Sequence, residues 1–98
     1  MIAKTGPLDA PHYAMTLFVT GASRLSMLAV SRVREFCDEE LDGHYDLEVI
    51  DLYRAPERAK DAQIIAAPTL LRDAPLPARR VIGDMSNRGK LRAAIKVV

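Results

Sequence analysis

The sequence predicts an α/β domain with the element order βαβαββα and a mixed four-stranded sheet. Two strands joined by a helix occupy residues 13–52, and this order implies a right-handed crossover with parallel pairing. Two further strands flank a proline-rich turn at residues 73–77, which predicts an antiparallel hairpin. An amphipathic segment near the C-terminus supplies the last helix. Because a parallel pair and a hairpin are combined, the predicted sheet is mixed.

Length and composition limit the chain to one small domain. Its 98 residues are 49% apolar and 28% charged, which is enough for a single modest core. Residues 1–12 contain a glycine and two prolines without periodicity, so they predict a flexible arm before a domain at 13–98. No apolar run approaches about 20 residues, the length that crosses a bilayer, and no leader precedes Tyr13. We therefore expect a cytoplasmic protein without a membrane segment.

The first strand and helix follow from the spacing of apolar residues. Residues 13–20 (YAMTLFVT) are apolar on both faces, as expected of an interior strand. Gly21 ends this strand, Ser23 or Ser26 can cap the following helix, and Gly43 is placed to end it. The apolar residues of the helix recur on one face: Leu25, Leu28, Ala29, Val33, Phe36, Cys37 and Leu41.

The second strand is predicted at residues 44–52 from alternating side chains. Pro56 in a first turn then begins a short helix that runs to about Gln63. The predicted inward residues of the strand are Tyr45, Leu47 and Val49, and the outward residues are Asp46 and Glu48.

The fourth strand and the last helix complete the order. Residues 79–82 form a strand that Gly83 and Asp84 end, and Arg79 and Arg80 are predicted to lie on its rim, where charges protect an open edge. Ser86 or Asn87 can cap the final helix. Its apolar face carries Leu91, Ala94 and Ile95, and its polar face carries Arg88, Lys90, Arg92 and Lys96.

The most specific segment is residues 64–71 (IIAAPTLL). Pro68 precedes an apolar strand, at a position that needs no backbone donor. The segment is similar to the one in which thioredoxin-like domains pass from a helix into a strand through a cis proline. We therefore predict a thioredoxin-like domain with a cis bond before Pro68. The alternative is an ordinary trans proline at the start of a strand.

Residues for catalysis or metal binding are scarce. Cys37 is the only cysteine, and it is predicted to be a small core side chain rather than a nucleophile. Serines, Ser23 and Ser26, stand where thioredoxins carry their reactive cysteines, and a serine cannot cycle through a disulfide. His12 and His44 are isolated, which argues against a metal site. We expect neither a cofactor nor an enzymatic activity.

The net charge of +1 hides an uneven distribution. Residues 35–61 are rich in acids and residues 72–96 in bases. This polarity favours docking to a charged protein or self-association over nucleic-acid binding, which requires many bases in one footprint. The alternative is that both sets of charges are solvated.

Five segments of residues 13–96 resemble the KaiB family of circadian clock proteins. They are LFVTG at 17–21, GHYDLEVIDL at 43–52, the proline of RAPE at Pro56, IIAAPTL at 64–70 and PARRVIGDMSNR at 77–88. The resemblance implies a non-catalytic protein that binds the ring-shaped ATPase KaiC. In cyanobacteria it implies, in addition, competition with a KaiB-like sensor domain of a histidine kinase and sequestration of KaiA.

The resemblance also implies two folds for one sequence. One is the thioredoxin-like βαβαββα order, which binds KaiC, and the other is a βαββααβ order that assembles as a tetramer. Clock members have a glycine and an aspartate where this chain has Ala94 and Lys96. Alanine favours a helix over glycine by about 1 kcal/mol, and a base suits a helix C-terminus. With Pro68, Gly83 and Asp84, these residues predict the thioredoxin-like state as a monomer or dimer, not a tetramer.

Other departures bear on partner binding. Glu48 and Gln63 stand at positions where clock members carry lysines, whereas Arg79 and Arg80 match the family. These four are our candidate partner-binding residues. The differences are typical of a divergent paralogue in a simpler daily timer or a stress response. The alternative function is a thioredoxin-fold interaction module without redox activity, such as a partner of a histidine kinase.

Overall fold

The structure is a computed structural model that describes residues 12–65 and 67–96 of the chain. Except for His12, the predicted arm at 1–12 lies outside the described residues, and the division at residue 13 stays a prediction. The elements follow the predicted order: β1 (Tyr13–Val19), α1 (Arg24–Glu40), β2 (Tyr45–Asp51), α2 (Pro56–Asp61), β3 (Thr69–Ala74), β4 (Arg79–Ile82) and α3 (Arg88–Ile95).

The four strands form one mixed sheet in the order β2-β1-β3-β4, which confirms the predicted fold class. β1 pairs parallel with β2 and antiparallel with β3, so Leu17 lies between Val49 and Leu70. β3 and β4 form the predicted antiparallel hairpin. The pairing of β1 with β3 shifts register between Ala14 and Met15. β2 and β4 are therefore the two edges of the sheet.

The main core lies between one face of the sheet and the helices α1 and α3. Leu17, Val33, Phe36 and Leu70 are fully buried there. From α3, Leu91 and Ile95 complete the cluster, and Ala94 packs against it, as the spacing of that helix predicts. Burial of these side chains supplies the main driving force for folding.

The opposite face of the sheet is also buried near its centre. Phe18 on β1 is 2% exposed, and Thr69 on β3, its register partner, is 1% exposed. Ile50 on β2 pairs with Phe18 and is 7% exposed. This second buried face explains why the sequence of β1 is apolar at almost every position.

The predicted alternation in β2 is only partly confirmed. Tyr45 and Leu47 pack against the main core, as expected. Val49 is oriented to the same face by register but remains 37% exposed, whereas Ile50 on the other face is buried. Because β2 is an edge strand, its end extends beyond the cover that α1 provides for the inner strands.

The helix ends refine the sequence predictions. The Ser23 side chain accepts a hydrogen bond from the Ser26 backbone N–H, so Ser23 is the N-cap of α1. α2 ends at Asp61, earlier than predicted, because Gln63 adopts a left-handed φ of 57°. Asn87 caps α3 by accepting from the Lys90 N–H. Lys96 is the C-cap of α3 in an extended conformation and therefore lies just beyond the helix.

The bond between Ala67 and Pro68 is cis, as predicted. The backbone N–H of Gly83 donates a hydrogen bond of 3.0 Å to the Pro68 carbonyl. Gly83 has a φ of 126°, a conformation that side-chain-bearing residues rarely adopt. This contact joins the end of β4 to the start of β3.

We predict that Leu17→Ala lowers the free energy of unfolding by about 3 kcal/mol, because it leaves a cavity at the centre of the sheet. Leu25→Ala is the matched control, since Leu25 is 56% exposed and its loss is expected to cost no more than about 0.5 kcal/mol. Urea unfolding followed by circular dichroism measures both. Equal effects of the two substitutions would contradict the described core.

Candidate partner-binding surface

The two arginines of β4 point to opposite faces of the sheet, because neighbouring side chains of a strand alternate. Arg80 donates one hydrogen bond to the Ala62 carbonyl and one to the Gln63 carbonyl, each 3.1 Å long. It thereby satisfies carbonyls at the C-terminal end of α2. Within the described ranges, the Arg79 side chain makes no hydrogen bond or ion pair, and it is exposed. Arg79 is thus a basic group available at the sheet edge.

Glu48 lies on the same face as Arg80 and is bound by α2. Its two carboxylate oxygens accept hydrogen bonds of 2.9 and 3.1 Å from the two terminal nitrogens of Arg58. These hydrogen bonds lower the pKa of Glu48 and raise that of Arg58. The carboxylate is therefore already paired, although the pair is exposed to solvent.

Of the four candidate residues, Glu48, Gln63 and Arg80 are grouped around α2. Arg79 belongs to the other face. The structure therefore brings three of them together on what we call the α2 surface, formed by Glu48, Arg58, Gln63 and Arg80. The hydrogen bonds that link these residues to α2 were not readable from the sequence, because they join positions separated by 10 to 18 residues.

Much of the charge polarity seen in the sequence is satisfied within the protein. Glu39 at the end of α1 pairs with Arg88 at 2.9 Å, and Glu40 pairs with Arg92 at 2.9 Å. The hydrogen bond from Arg92 is the main cause that lowers the pKa of Glu40 to about 2, and Lys96 adds to it. Glu39 and Glu40 at the end of α1 therefore form ion pairs with the bases of α3 within the free protein.

Asp84 organises the turn between β4 and α3. Its Oδ1 accepts hydrogen bonds from the backbone N–H of Ser86 at 3.0 Å and from the Ser86 hydroxyl at 2.6 Å, and these lower the pKa of Asp84. Arg32 on α1 donates to the Asp84 carbonyl at 2.9 Å. The predicted importance of Asp84 for the fold remains a prediction, and these contacts give it a physical basis.

The serines at the start of α1 have structural partners. The Ser23 hydroxyl donates to Ser26 Oγ at 2.9 Å, and the Ser26 hydroxyl donates to the Thr20 carbonyl at 3.2 Å. Ser26 Oγ also accepts from the Thr20 N–H, and its residue is 3% exposed. Ser26 therefore connects the residue after β1 to α1, and Ser23 bonds to Ser26 within the start of the helix. Neither has a histidine among its hydrogen-bond partners in the described chain.

Sequence reasoning missed a group of exposed apolar side chains: Leu25, Met27, Tyr53 and Ile65 are 56%, 63%, 77% and 93% exposed. Tyr53 is held at the end of β2, where Asp51 Oδ1 accepts from the backbone N–H of both Gly21 (3.0 Å) and Tyr53 (2.9 Å). A Cβ on Gly21 would approach the Tyr53 ring to 3.6 Å, so the ring lies beside this glycine. An aromatic residue in a turn after a strand was the available signal.

The described residues contain no group of three or more His, Cys, Asp or Glu side chains that could hold a metal ion. Among them, no helix combines the length and the apolar character needed to cross a membrane.

Comparison with protein families shows which family the chain belongs to. The KaiB domain model matches residues 16–97, which include all four strands and all three helices, except for the start of β1. The chain belongs to the KaiB family. This confirms the resemblance that the five sequence segments predict.

Curated relatives of this KaiB-family chain carry the names of clock proteins. It is 35% identical over 91 residues to the circadian clock protein KaiB3 of Synechocystis, covering 93% of this chain and 89% of that protein. It is 42% identical over 79 residues to the circadian clock oscillator protein KaiB of Prochlorococcus marinus, covering 81% and 74%. Neither name describes an enzyme.

Solved structures support the thioredoxin-like fold. The N-terminal domain of SasA from Synechococcus elongatus superposes with a TM-score of 0.72 at 19% identity, covering 94% of this chain and 89% of that one. Mitochondrial thioredoxin 3 of Saccharomyces cerevisiae gives 0.66 at 14% identity, covering 89% and 79%. At these identities the likeness concerns the fold alone.

We predict that Cys37 resists alkylation in the folded protein. The thiol is fully buried in α1, and burial is the main cause that raises its pKa to about 12. Very little thiolate, the reactive form, is therefore present at pH 8. Iodoacetamide labelling followed by mass spectrometry is expected to modify Cys37 only after addition of denaturant. Rapid labelling of the native protein would contradict a core role for this residue.

Proposed function

We propose that this KaiB-family protein binds a KaiC-type ATPase ring and acts as a non-catalytic regulator in a daily timing system. The observation that carries the proposal is the match of the family model to residues 16–97. The names of the curated relatives, which place them in circadian clocks, support it. Partner binding, rather than turnover of a substrate, is the activity expected of such a regulator.

The proposed interface combines the α2 surface with the edge of β4. Gln63 and Arg80 lie at the end of α2, and Glu48 lies beside Arg58 on the same face. Arg79 extends the surface around the sheet edge with a charge that has no partner among the described residues. A charge that is unpaired in the free protein can pair with a partner without breaking an existing contact.

Tyr53 gives this interface an apolar component. It follows β2, the strand that carries Glu48, and is 77% exposed. Large exposed aromatic residues supply much of the binding energy of protein interfaces because they bury a wide area with little loss of rotamer freedom. We therefore include Tyr53 in the proposed surface.

The resting state follows from α3. Ala94 is helical and half-buried, and Lys96 caps the helix and lies 3.5 Å from Glu40. Ala94 has a higher helix propensity than the glycine of clock members, and the positive charge of Lys96 suits a helix C-terminus better than their aspartate does. Both residues therefore stabilise the docked helix. We propose that the free protein is a monomer or dimer in the thioredoxin-like state, ready to bind.

Size-exclusion chromatography with the KaiC homologue from the same genome tests this function. We expect a monomer or dimer that forms a complex within minutes of mixing, because no slow refolding precedes binding. Slow binding over hours from a tetramer would contradict the proposed resting state. No binding at any time would contradict the proposed partner and favour an interaction module that serves a histidine kinase or a stress response.

The contribution of Arg79 is tested by charge reversal. We predict that Arg79→Glu weakens complex formation at least about tenfold while leaving the urea midpoint almost unchanged, because its side chain has no internal partner to lose. Arg34→Glu is the control, since Arg34 is an exposed base on α1 outside the proposed surface. Equal affinities of the two variants would exclude Arg79 from the interface.

A further inference from the structure

We propose that the docking of α3 is held by an electrostatic latch, which salt opens locally while the sheet stays folded. The latch has two parts. In the outer part, the Glu40 carboxylate of α1 binds the cations of α3. In the inner part, Arg72 of β3 binds the carbonyl at the end of α3.

The outer part gathers three cations around one carboxylate. Arg92 donates from Nη2 at 2.9 Å and from Nε at 3.3 Å, and Lys96 Nζ lies at 3.5 Å. Arg88 Nη2 approaches the same carboxylate to 3.7 Å. The Glu40 side chain is 19% exposed, whereas those of Arg92 and Lys96 are 52% and 38% exposed. Dissolved ions can therefore reach and screen these pairs.

The inner part is a buried arginine without a carboxylate partner among the described residues. Arg72 is 4% exposed, and its Nη1 donates to the Ile95 carbonyl at 2.8 Å. Its Nη2 donates to the Pro77 carbonyl at 2.6 Å, and its buried Nε has no hydrogen-bond partner within residues 12–65 and 67–96. A buried charge is costly unless it is compensated. Here the compensation comes from carbonyls, one of which lies at the negative end of the α3 dipole.

The hydrogen bonds of both parts are made at the C-terminal end of α3. Arg92, Ile95 and Lys96 are all found there or at the C-cap. In the first turn, Arg88 contacts α1 through Glu39, more distantly through Glu40, and over the Phe36 ring. Loss of the latch would therefore free the C-terminal end of the helix first.

α3 has little support of its own. It has eight residues, far below the length at which isolated helices are stable in water. Gly89 lowers its helix propensity, and Arg88 and Arg92, four residues apart, carry like charges that repel each other in an isolated helix. Only Leu91 and Ile95 are fully buried. Once undocked, the segment is expected to lose its helical structure. It therefore has two states, a docked helix and an open, unfolded segment.

The sheet depends on different forces. The central strands β1 and β3 are held by backbone pairing and by buried apolar side chains such as Leu17 and Leu70, which salt does not weaken. Local and global opening can therefore be separated by their response to salt. Opening of α3 is a low-energy event confined to one cooperative unit.

Hydrogen exchange followed by mass spectrometry tests the latch. Between 50 mM and 500 mM NaCl (about 14 and 4 Å of Debye length), we expect exchange in α3 to become about three- to tenfold faster, with little change in β1. Glu40→Gln is expected to give the fast rate already at low salt and to remove most of the salt response. Arg72→Met is expected to accelerate exchange in α3 at both salt concentrations.

Glu35→Gln is the matched control, because Glu35 is exposed on the same helix and forms no ion pair with a described residue. Exchange of α3 in Glu35→Gln should match that of the natural protein at both salt concentrations. Three results would each overturn the latch: an exchange rate of α3 that does not change between the two salt concentrations, equal exchange of α3 in Glu40→Gln and Glu35→Gln, or slower or unchanged exchange of α3 in Arg72→Met. The salt series on the natural protein alone is decisive even if a variant folds poorly.

Discussion

The burial of β1 on both of its faces is the constraint on which the rest of the structure depends. One face of the strand packs on α1 and α3 through Leu17, and the other is buried at Phe18. Its backbone is paired on both sides, with β2 and with β3. A strand that is enclosed in this way fixes the register of its neighbours, because a slip by one residue would exchange the residues of two buried faces. The edges of the sheet, β2 and β4, carry the candidate residues Glu48, Arg79 and Arg80.

The element order could be predicted because each element has a local signal. Ser23 and Asn87 mark helix starts, Pro68 marks a strand start, and the apolar spacing of α1 gives its buried face except at Leu25, which lies in the first turn and is 56% exposed. The exposure of Val49 and the burial of Ile50 could not be predicted, since they depend on how far the helices extend over an edge strand. The alternation of side chains predicts which residues share a face of a strand, but the burial of each face depends on which helices pack against it in the folded protein.

The candidate site was less accessible to sequence reasoning than the fold. The pair Arg79 and Arg80 reads as one basic patch, yet strand alternation separates the two side chains, and only Arg80 is engaged by α2. The acids of residues 35–61 predict a docking surface or a solvated one, yet Glu39 and Glu40 bind α3. In both cases the deciding partner is distant along the chain. Charge counts therefore indicate which groups exist, and only the fold shows which of them are already paired.

The burial of Cys37 has a practical consequence. It is the only cysteine of the chain, and a thiol with a pKa of about 12 in the core does not compete for maleimide reagents. A single cysteine introduced at an exposed position, such as Ala93 on α3, would therefore accept one fluorophore or spin label at a defined place. The natural sequence already provides the background for distance measurements between α3 and the sheet, without removal of a native residue.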